Sequence, residues 1–264
     1  MAPAFDTLTL EVEDGVARLT LNRPQAMNAI NQRLKDELGA ALDAVEADDA
    51  ARVLLITGAG DKAFCAGADL KERAGSQPTP AEFVFRQRAT HRLFDRIETI
   101  ARPVIAAING VAFGGGAEIA LAADLRLMSD SARIGLTEVS LGVIPAGGGT
   151  QRLPRLVGAA RAKELIFTAA RLSAAEAAAI GLVNRVVPAA SLADEALALA
   201  RRIAAQPPLA VRLAKQAIDQ GLQTDIRSAM AFELYAAAIL YDTEDRKEGM
   251  RAFVEKRPPV FHGR

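Results

Sequence analysis

Two glutamates in apolar surroundings are the residues of this sequence best suited to acid–base chemistry. Glu118 lies in the run 117–123, whose other members are Ala, Ile and Leu, and Glu138 lies in the mostly apolar run 134–141. Because a buried charge is costly unless it is paired, carboxylates in such places are suited to taking up and releasing a proton. A structural alternative stays open for each: Glu118 could cap a helix, and Glu138 could stand at the edge of a loop.

Two loops of small residues could supply backbone N–H donors beside these carboxylates. The first covers 63–69 and follows an apolar strand predicted at 53–56. The second covers 109–118 and follows a strand predicted at 104–108; its three consecutive glycines stand where a helix begins, so they expose unpaired N–H groups. Neighbouring strands would bring both loops to one oxygen atom, as an oxyanion hole requires. Taken singly, each loop could equally be an ordinary strand-to-helix turn.

The elements that must position these loops alternate between strands and helices in the first half of the chain. A hairpin is predicted from segments 8–12 and 16–21 around an acidic turn, and a helix is predicted over 31–45 from the spacing of its apolar residues. From about residue 159 the chain is mostly helical. This order predicts an α/β core followed by helices for packing or oligomerisation. The remaining elements are strands at 124–128 and 182–187 and helices at 81–99, 117–123, 161–168, 174–180, 191–205, 209–220 and 226–241.

Composition excludes several classes of protein. Lys and Arg together number 32, as do Asp and Glu, so the net charge is zero, whereas a dedicated nucleic-acid binder needs excess positive charge. Half of the 264 residues are hydrophobic, which is enough for a sizeable core. One cysteine and two histidines leave little for a disulfide or a metal site. With no visible signal peptide or membrane-length apolar segment, we expect a cytoplasmic enzyme.

Two glycine-rich segments resemble nucleotide-binding motifs only in part. Residues 58–63 fit the G-x-G-x-x-A pattern after a predicted strand, but that fingerprint requires a helix to begin there. Residues 142–150 lack the lysine of a phosphate loop. A nicotinamide site and a phosphate loop are therefore both disfavoured.

Longer motifs resemble the enoyl-CoA hydratase/isomerase (crotonase) superfamily along nearly the whole chain. They read LNRPQAMN at 21–28, AFCAGADLK at 63–71, NGVAFGGGAE at 109–118, GVIPAGGGTQR at 142–152 and AFVEKRP at 252–258. Within the superfamily, segments 149–155, 162–167 and 255–259 are most similar to the methylglutaconyl-CoA hydratase branch. The resemblance implies a crotonase-like ββα spiral core over 1–195 with the active site. It also implies a C-terminal helical region over 196–264 that builds a trimer, often a dimer of trimers, and contacts CoA.

The same resemblance assigns roles to individual residues. It implies that the Ala68 and Gly115 N–H groups bind a thioester oxygen and that Glu118 and Glu138 hold and activate water. Family members that isomerise, decarboxylate or dehalogenate commonly lack one glutamate, whereas hydratases keep both, as this chain does. Gln25 stands where many relatives carry a CoA-contacting lysine. The implied CoA and substrate contacts are Ala26, Ala66, Asp69, Leu70, Lys71, Phe253 and Lys256.

The C-terminal pair of these contacts has an alternative explanation. Residues 242–245 predict a helix N-terminus, which puts Lys256 near the end of that helix, where a cation pairs with the helix dipole. Phe253 and Lys256 could also reach the CoA of a neighbouring subunit rather than their own.

The implied reaction adds water across the 2,3 double bond of a 2-enoyl-CoA thioester to give the 3-hydroxyacyl-CoA, in fatty-acid or branched-chain amino-acid catabolism. CoA arrives with the substrate, so no separate cofactor and no metal are expected. The acyl group stays open between crotonyl, longer straight-chain, 3-methylglutaconyl and 3-methylcrotonyl. A basic residue at the far end of the acyl pocket would favour a carboxylated chain, and the candidates are Arg86, Arg88 and Arg92.

A binding function of another class is the remaining alternative. The methylglutaconyl-CoA hydratase branch includes a protein that binds AU-rich RNA through a lysine row on the helix matching 31–48. In this chain the basic residues of that helix are Arg33 and Lys35, and they are outnumbered by Asp36, Glu37, Asp43, Glu46 and Asp48. Because phosphate attraction needs excess positive charge, we expect neither a nucleic-acid nor a membrane partner.

Overall fold

Two β-sheets and eleven α-helices make up the part of the chain that the computed structural model describes, residues 5–75 and 78–264. The strands are β1 (Leu8–Glu13), β2 (Val16–Leu21), β3 (Val53–Gly58), β4 (Ala63–Cys65), β5 (Val104–Ile108), β6 (Val111–Phe113), β7 (Leu125–Ser129), β8 (Arg133–Gly135), β9 (Leu172–Ser173) and β10 (Arg185–Val187). The helices are α1 (Gln32–Ala47), α2 (Leu70–Ala74), α3 (Pro80–Thr99), α4 (Gly115–Ala122), α5 (Gly149–Val157), α6 (Ala159–Phe167), α7 (Ala174–Ala179), α8 (Leu192–Ala204), α9 (Pro208–Gly221), α10 (Ile226–Tyr241) and α11 (Glu244–Glu255). Every helix predicted with a range is present, and the α/β class is confirmed.

The larger sheet contains six strands in the order β1-β2-β3-β5-β7-β10. The β1–β2 pair is the antiparallel hairpin that the acidic turn predicts, and the other neighbours run parallel. All five residues of β5 are buried, as are five of the six in β3. Parallel strands covered on both faces form continuous apolar runs, which is why the sequence reveals them. The carboxyl ends of these two neighbours lead toward the two small-residue loops.

The smaller sheet, in the order β4-β6-β8-β9, was not predicted from the sequence. Each of its strands has only two or three residues, too few to show an alternating pattern. Consequently, the first small-residue loop begins as β4 and leaves the sheet only at Ala66. The second passes through β6 before its glycines, and the parallel pairing of β4 with β6 sets the two loops side by side.

Helices cover both faces of the larger sheet. Alternate residues of β3 point to opposite sides: Leu54 packs in the cluster with residues of α1, α3 and α4, and Leu55 packs with residues of α8. The predicted boundary between residues 195 and 196 falls inside α8, whose Ala196 and Ala200 are buried against the sheet. The division into a core and a C-terminal region stays a prediction.

The C-terminal helices include one that is apolar but poorly covered. Ala236 is the only fully buried residue of α10. Large side chains of this helix are between 60% and 72% exposed: Ile226, Met230, Leu234, Tyr235, Ile239 and Tyr241. Exposed apolar surface of this extent normally marks an interaction site. In the described ranges, no helix is both long and apolar enough to cross a membrane.

Candidate active site

The first small-residue loop touches the start of α4 through glycines. Gly67 has a φ of +97°, and a Cβ there would lie 2.7 Å from the Phe113 carbonyl oxygen and 3.4 Å from the Gly115 nitrogen. Gly116 makes the reciprocal approach, since a Cβ there would lie 2.0 Å from the Cys65 carbonyl oxygen. Only glycine permits such approach of backbone to backbone. The two loops are therefore in direct main-chain contact.

Ala68 and Gly115 carry the N–H groups at this contact. Ala68 forms an isolated parallel bridge with Ile30, whose hydrogen bonds run from the Ile30 N–H to the Gly67 carbonyl and from the Asp69 N–H to the Ile30 carbonyl. The Ala68 N–H is thus outside the bridge, and Gly115 is the first residue of α4, where an N–H has no partner in its own helix. Neither N–H donates a hydrogen bond within residues 5–75 and 78–264.

Two asparagine side chains brace the segment that precedes this contact. Asn28 is completely buried with a φ of +53°, and Asn109 follows β5. Asn28 Nδ2 donates to the carbonyl oxygens of Ala59 at 3.0 Å and Ala63 at 2.8 Å. Asn109 Nδ2 donates to those of Gly58 at 2.9 Å and Gly60 at 2.8 Å. These bonds span 31 to 51 residues, so local sequence does not predict the bracing.

Glu118 projects from the first turn of α4 into the interior and is 4% exposed. Its Oε1 accepts hydrogen bonds from the Gly147 N–H at 2.6 Å and the Gly149 N–H at 2.9 Å. Burial raises the pKa of Glu118, while these two N–H bonds and the charges of Arg152 and His91 oppose the rise. A glycine occupies the N-cap position of α4. The helix-capping alternative for this glutamate is therefore wrong.

Arg152 of α5 fixes the loop that supplies these two N–H groups. Its Nη1 donates to the Gly147 carbonyl oxygen at 3.1 Å. Arg152 is 9% exposed, and its guanidinium forms ion pairs with Asp95 and Glu98 of α3, at 2.7 Å and 2.6 Å. A charged group anchored on both sides in this way has little freedom to move. It therefore holds the loop against α3 and places a positive charge beneath the Glu118 carboxylate.

Glu138 begins a one-turn 3-10 helix, Glu138–Leu141, opposite the start of α4. A Cβ on Gly114 would lie 3.2 Å from its Oε1, and its Oε2 is buried with no hydrogen-bond partner in the described part of the chain. Burial, together with the negative charge of Glu118, raises the pKa of Glu138 to about 7, while its own backbone N–H and Arg73 act in the opposite direction. A buried carboxylate oxygen without a partner is costly, so this one is suited to bind a ligand or water.

Most residues with a predicted CoA or substrate contact lie on the segment that continues from the first loop. Leu70, 57% exposed, and Lys71, also exposed, are in the first turn of α2. Ala66 is half-buried, and its N–H donates to the Met27 carbonyl at 3.0 Å. Ala26, the residue before Met27, is half-buried at the end of a 3-10 helix. The structure thus brings these four together near Ala68.

Asp69 is bound within the protein. Its Oδ2 forms an ion pair with Arg23 at 2.9 Å, and its Oδ1 accepts from the first N–H groups of α2. The hydrogen bond from Arg23 holds the pKa of Asp69 below its usual value, against the effect of burial. Arg23 also donates to the Ala29 carbonyl oxygen. The Asp69 carboxylate therefore ties the end of the first small-residue loop, next to Ala68, to residues 23–29.

Phe253 and Lys256 lie at the C-terminal end of α11. Lys256 caps this helix with a φ of +56°, and Phe253 is 84% exposed. A Cβ on Gly249 of α11 would lie 3.5 Å from the Phe261 ring, and the Phe261 carbonyl accepts from Arg52 at 2.9 Å. Arg52 directly precedes β3, whereas the loops follow its other end, about 20 Å away for six residues of strand. In the described part of the chain, no hydrogen bond or ion pair joins either residue to Glu118 or Glu138.

The buried cysteine of β4 is unsuited to nucleophilic chemistry. Cys65 is completely buried in β4, and burial raises the pKa of its thiol to about 12, so it stays protonated near neutral pH. Among residues 5–75 and 78–264, no three His, Cys, Asp or Glu side chains are grouped as metal ligands.

Gln87 and His91 contact the site but were not predicted from the sequence. Gln87 Nε2 donates to the Ala146 carbonyl oxygen at 2.6 Å, and His91 Nε2 donates to the same oxygen. Residues four apart lie on one face of a helix, and this spacing is the only local signal for the pair. Their partner is 55 to 59 residues away.

An α/β chain with one buried and one half-buried glutamate beside two free backbone N–H donors defines an enzyme class that polarises a carbonyl and moves protons next to it. The chain belongs to the enoyl-CoA hydratase/isomerase family, whose family model matches residues 11–264. The superfamily that the motifs indicate is thereby confirmed.

Individual relatives agree with this assignment over nearly the whole chain. The chain is 45% identical to the short-chain-enoyl-CoA hydratase of Clostridium acetobutylicum over 96% of each protein. It is 44% identical to the methylglutaconyl-CoA hydratase of Rattus norvegicus over 96% of this chain and 82% of that one. It superposes on the crystal structure of enoyl-CoA hydratase from Bacillus anthracis with a TM-score of 0.95 and 44% identity, covering 98% of this chain and 100% of the other. The predicted crotonase-like fold is thus confirmed.

Proposed function

We propose that the protein hydrates 2-enoyl-CoA thioesters to 3-hydroxyacyl-CoA. The observation that carries this proposal is the pairing of the buried Glu118 and the half-buried Glu138, whose Oε2 is buried, with the unbonded N–H groups of Ala68 and Gly115. The N–H pair would bind the thioester oxygen and draw electrons from the double bond, which makes C3 electrophilic. Each donor is worth roughly 10²–10³ in rate. Water held between the glutamates would then add to C3, and a proton would go to C2.

The surroundings of the two glutamates support a division of labour. Glu118 receives two N–H bonds that favour its charged form, so it is the group to orient water and accept its proton. Glu138, with a pKa of about 7, holds a proton over much of the neutral range and can deliver it to C2. Because the two carboxylates interact electrostatically, the protonation of one affects the pKa of the other.

A short apolar acyl chain is the substrate group we propose. The loop between Glu138 and Ala146 exposes the large apolar side chains of Leu141, Val143 and Ile144, which are 53% to 65% exposed. Ala146 of this loop is bonded to α3, and the next residue, Gly147, is bonded to Glu118. Apolar side chains on a loop this close to the glutamates suit an unbranched hydrocarbon chain. The similarity to a short-chain-enoyl-CoA hydratase supports the same substrate class.

A carboxylated acyl chain, as in methylglutaconyl-CoA, is the second candidate. Arg86, Arg88 and Arg92 are all exposed on α3, and Arg73 lies close enough to lower the pKa of Glu138. Any of these guanidinium groups could pair with a substrate carboxylate. The similarity to the rat methylglutaconyl-CoA hydratase also favours this candidate.

A panel of enoyl-CoA substrates distinguishes the two candidates and tests the function. Values of kcat/KM are measured for crotonyl-CoA, longer straight-chain enoyl-CoAs, 3-methylcrotonyl-CoA and 3-methylglutaconyl-CoA. We expect crotonyl-CoA to be hydrated best. Preference for methylglutaconyl-CoA, lost in the Arg73→Gln or Arg88→Gln variant, would select the second candidate. Absence of hydration with every member of the panel would contradict the proposed function.

We propose that the active assembly is a homotrimer or a dimer of trimers. The exposed apolar face of α10 needs a cover, and Phe253 and Lys256 are exposed at the end of α11. A neighbouring subunit would cover the α10 face and bring its CoA to these two residues. Sedimentation analysis of the wild type and of the Leu234→Asp variant tests this, with a monomer expected only for the variant.

The proposed reaction needs no cofactor besides the CoA of the substrate, since backbone N–H groups polarise the carbonyl and carboxylates move the protons. RNA binding is disfavoured because Arg33 of α1 already pairs with Asp6 and Glu37. A filter-binding titration at low salt tests this directly; strongly salt-dependent tight binding would reverse it. A cytoplasmic location stays a prediction.

A further inference from the structure

We propose that Gln87 and His91 are positioning residues of the hydration reaction, which hold the peptide group between Ala146 and Gly147 so that its N–H keeps Glu118 in place. This inference rests on the proposed function and concerns the same site. Neither side chain bonds to Glu118. Both donate to the carbonyl oxygen of one peptide group, and the N–H of the same group points the opposite way, toward Glu118.

The peptide group in question is bonded at each end. Its carbonyl oxygen, on Ala146, accepts from Gln87 Nε2 at 2.6 Å and from His91 Nε2. Its N–H, on Gly147, donates to Glu118 Oε1 at 2.6 Å. Consecutive hydrogen bonds through one amide polarise each other. Two donors on the carbonyl therefore make the N–H a better donor to the carboxylate.

The position of this peptide also sets the space around Glu118. A Cβ on Gly147 would lie 2.4 Å from Glu118 Oε2 and 2.8 Å from the Phe94 ring. A rotation of the peptide would therefore move it against the carboxylate or withdraw its N–H. The neighbouring carbonyl, on Gly147, is held separately by Arg152. The α3 helix thus controls one side of the loop through Gln87 and His91 and the other side through the ion pairs of Arg152.

Both α3 side chains are accessible enough to be changed without disturbing the core. Gln87 is half-buried and His91 is exposed, whereas the core contacts of α3 come from Leu93, Phe94 and Ile97. The role of the pair is therefore separable from the folding of the helix.

The test compares variants that remove the donors with variants that keep them. Gln87→Met preserves side-chain length without an N–H, His91→Ala removes the ring, and His91→Gln keeps a neutral donor of similar reach. Thr90→Ala is the matched control, because the Thr90 hydroxyl bonds back to the Arg86 carbonyl of its own helix at 3.4 Å. Each variant is assayed for kcat and KM with crotonyl-CoA and for the Kd of unreactive butyryl-CoA.

We expect Gln87→Met/His91→Ala to lower kcat roughly tenfold to hundredfold, as a small misplacement of a catalytic group does, with little change in the Kd of butyryl-CoA. His91→Gln should restore most of the loss due to His91→Ala, and Thr90→Ala should match the wild type. In a Glu118→Gln background the double variant should add little, because its effect passes through the Glu118 carboxylate.

A pH titration separates positioning from a merely structural role. Carboxyl NMR of the labelled protein follows Glu118 directly and does not depend on turnover. Charged groups that act on it are Glu138, Arg152 and His91. Because the N–H bond favours the carboxylate, weakening it should raise the pKa of Glu118 in Gln87→Met, where no charge changes.

Two failures are distinguishable. An inactive wild type would refute the proposed function. An active wild type whose double variant keeps its kcat and its Glu118 titration would overturn the positioning role. Equal losses in Thr90→Ala, or full additivity with Glu118→Gln, would also overturn it.

Discussion

The surroundings of Glu118 and Glu138 differ in how completely the protein binds each carboxylate. Glu118 Oε1 accepts two N–H bonds from a loop that is fastened by Arg152, Gln87 and His91. Glu138 stands at the start of a single 3-10 turn, and its buried Oε2 has no partner in residues 5–75 and 78–264. One carboxylate is fixed by the protein, and the other is left to bind what enters the site.

This difference shows how two identical side chains can acquire different functions. Burial raises the pKa of both glutamates, but two N–H bonds oppose the rise at Glu118, whereas Glu138 Oε2 has no such partner in the described residues. Carboxylates with such different surroundings are suited to separate acid and base roles.

Replacing either glutamate by glutamine should have the largest effect. Glu118→Gln keeps an oxygen for the Gly147 and Gly149 N–H groups but cannot take a proton, and Glu138→Gln cannot give one. Each should lower kcat for crotonyl-CoA hydration by about 10²–10⁴. The Kd of butyryl-CoA, measured by calorimetry, should change little. Near-normal turnover in either variant would rule out the two-carboxylate scheme.

Removing a backbone donor should have the next largest effect. Gly115→Pro eliminates the N–H at the first position of α4, where proline fits a helix, and Gly115→Ala is the control. Both variants add a Cβ about 3.0 Å from the flexible end of Ile30. The kcat ratio of Ala to Pro should be about 10²–10³. A ratio near one would show that this N–H does not bind the thioester oxygen.

A methyl group on the loop beside Glu118 should disturb that carboxylate more than Glu138. In Gly147→Ala the new Cβ would meet Glu118 Oε2 at 2.4 Å, so the carboxylate must move, and kcat should fall about 10²-fold. Gly158→Ala is the control: its Cβ would strain a backbone φ of +83° but would have no atom within 4 Å. Comparing kcat of the two variants separates the effect of a steric collision from the effect of backbone strain. Equal effects of the two variants on kcat would argue against a tightly held Glu118.

The smallest expected effect is on stability. The folded pKa of Glu138, about 7, exceeds the ordinary value of 4.5, so the folded state binds more protons between these values. The free energy of unfolding should therefore fall as pH rises through this window. The free energy of unfolding should fall by about 1–2 kcal/mol. This is less than the pKa difference alone implies, because the side chain is only partly buried and solvent screens its charge.

Urea unfolding of the wild type and Glu138→Gln measures this loss at a fixed protein concentration, which removes effects of oligomer dissociation. The variant should lack the fall and should exceed the wild type in stability on the alkaline side. Parallel pH dependences of the two proteins would contradict the raised pKa.

The sequence predicts the parts of this molecule that depend on local or repeating patterns. The buried strands β3 and β5 are continuous apolar runs, and the helix caps and glycine-rich loops have local signals. The site glutamates stand out because their neighbours are apolar. The bracing groups could not be predicted in this way. Asn28, Gln87 and Arg152 bond to residues distant along the chain or to backbone carbonyl groups, and every residue has such a carbonyl, so the sequence does not mark the partner.

Oxygen-18-labelled water shows whether the protein adds water across a thioester-conjugated double bond. The purified protein is incubated with crotonyl-CoA in labelled water, and the product is identified by mass spectrometry. We predict 3-hydroxybutyryl-CoA with one labelled oxygen on C3 and an unlabelled, intact thioester. A product with a shifted double bond and no label, or free CoA with a labelled carboxylate, would contradict the proposed hydration.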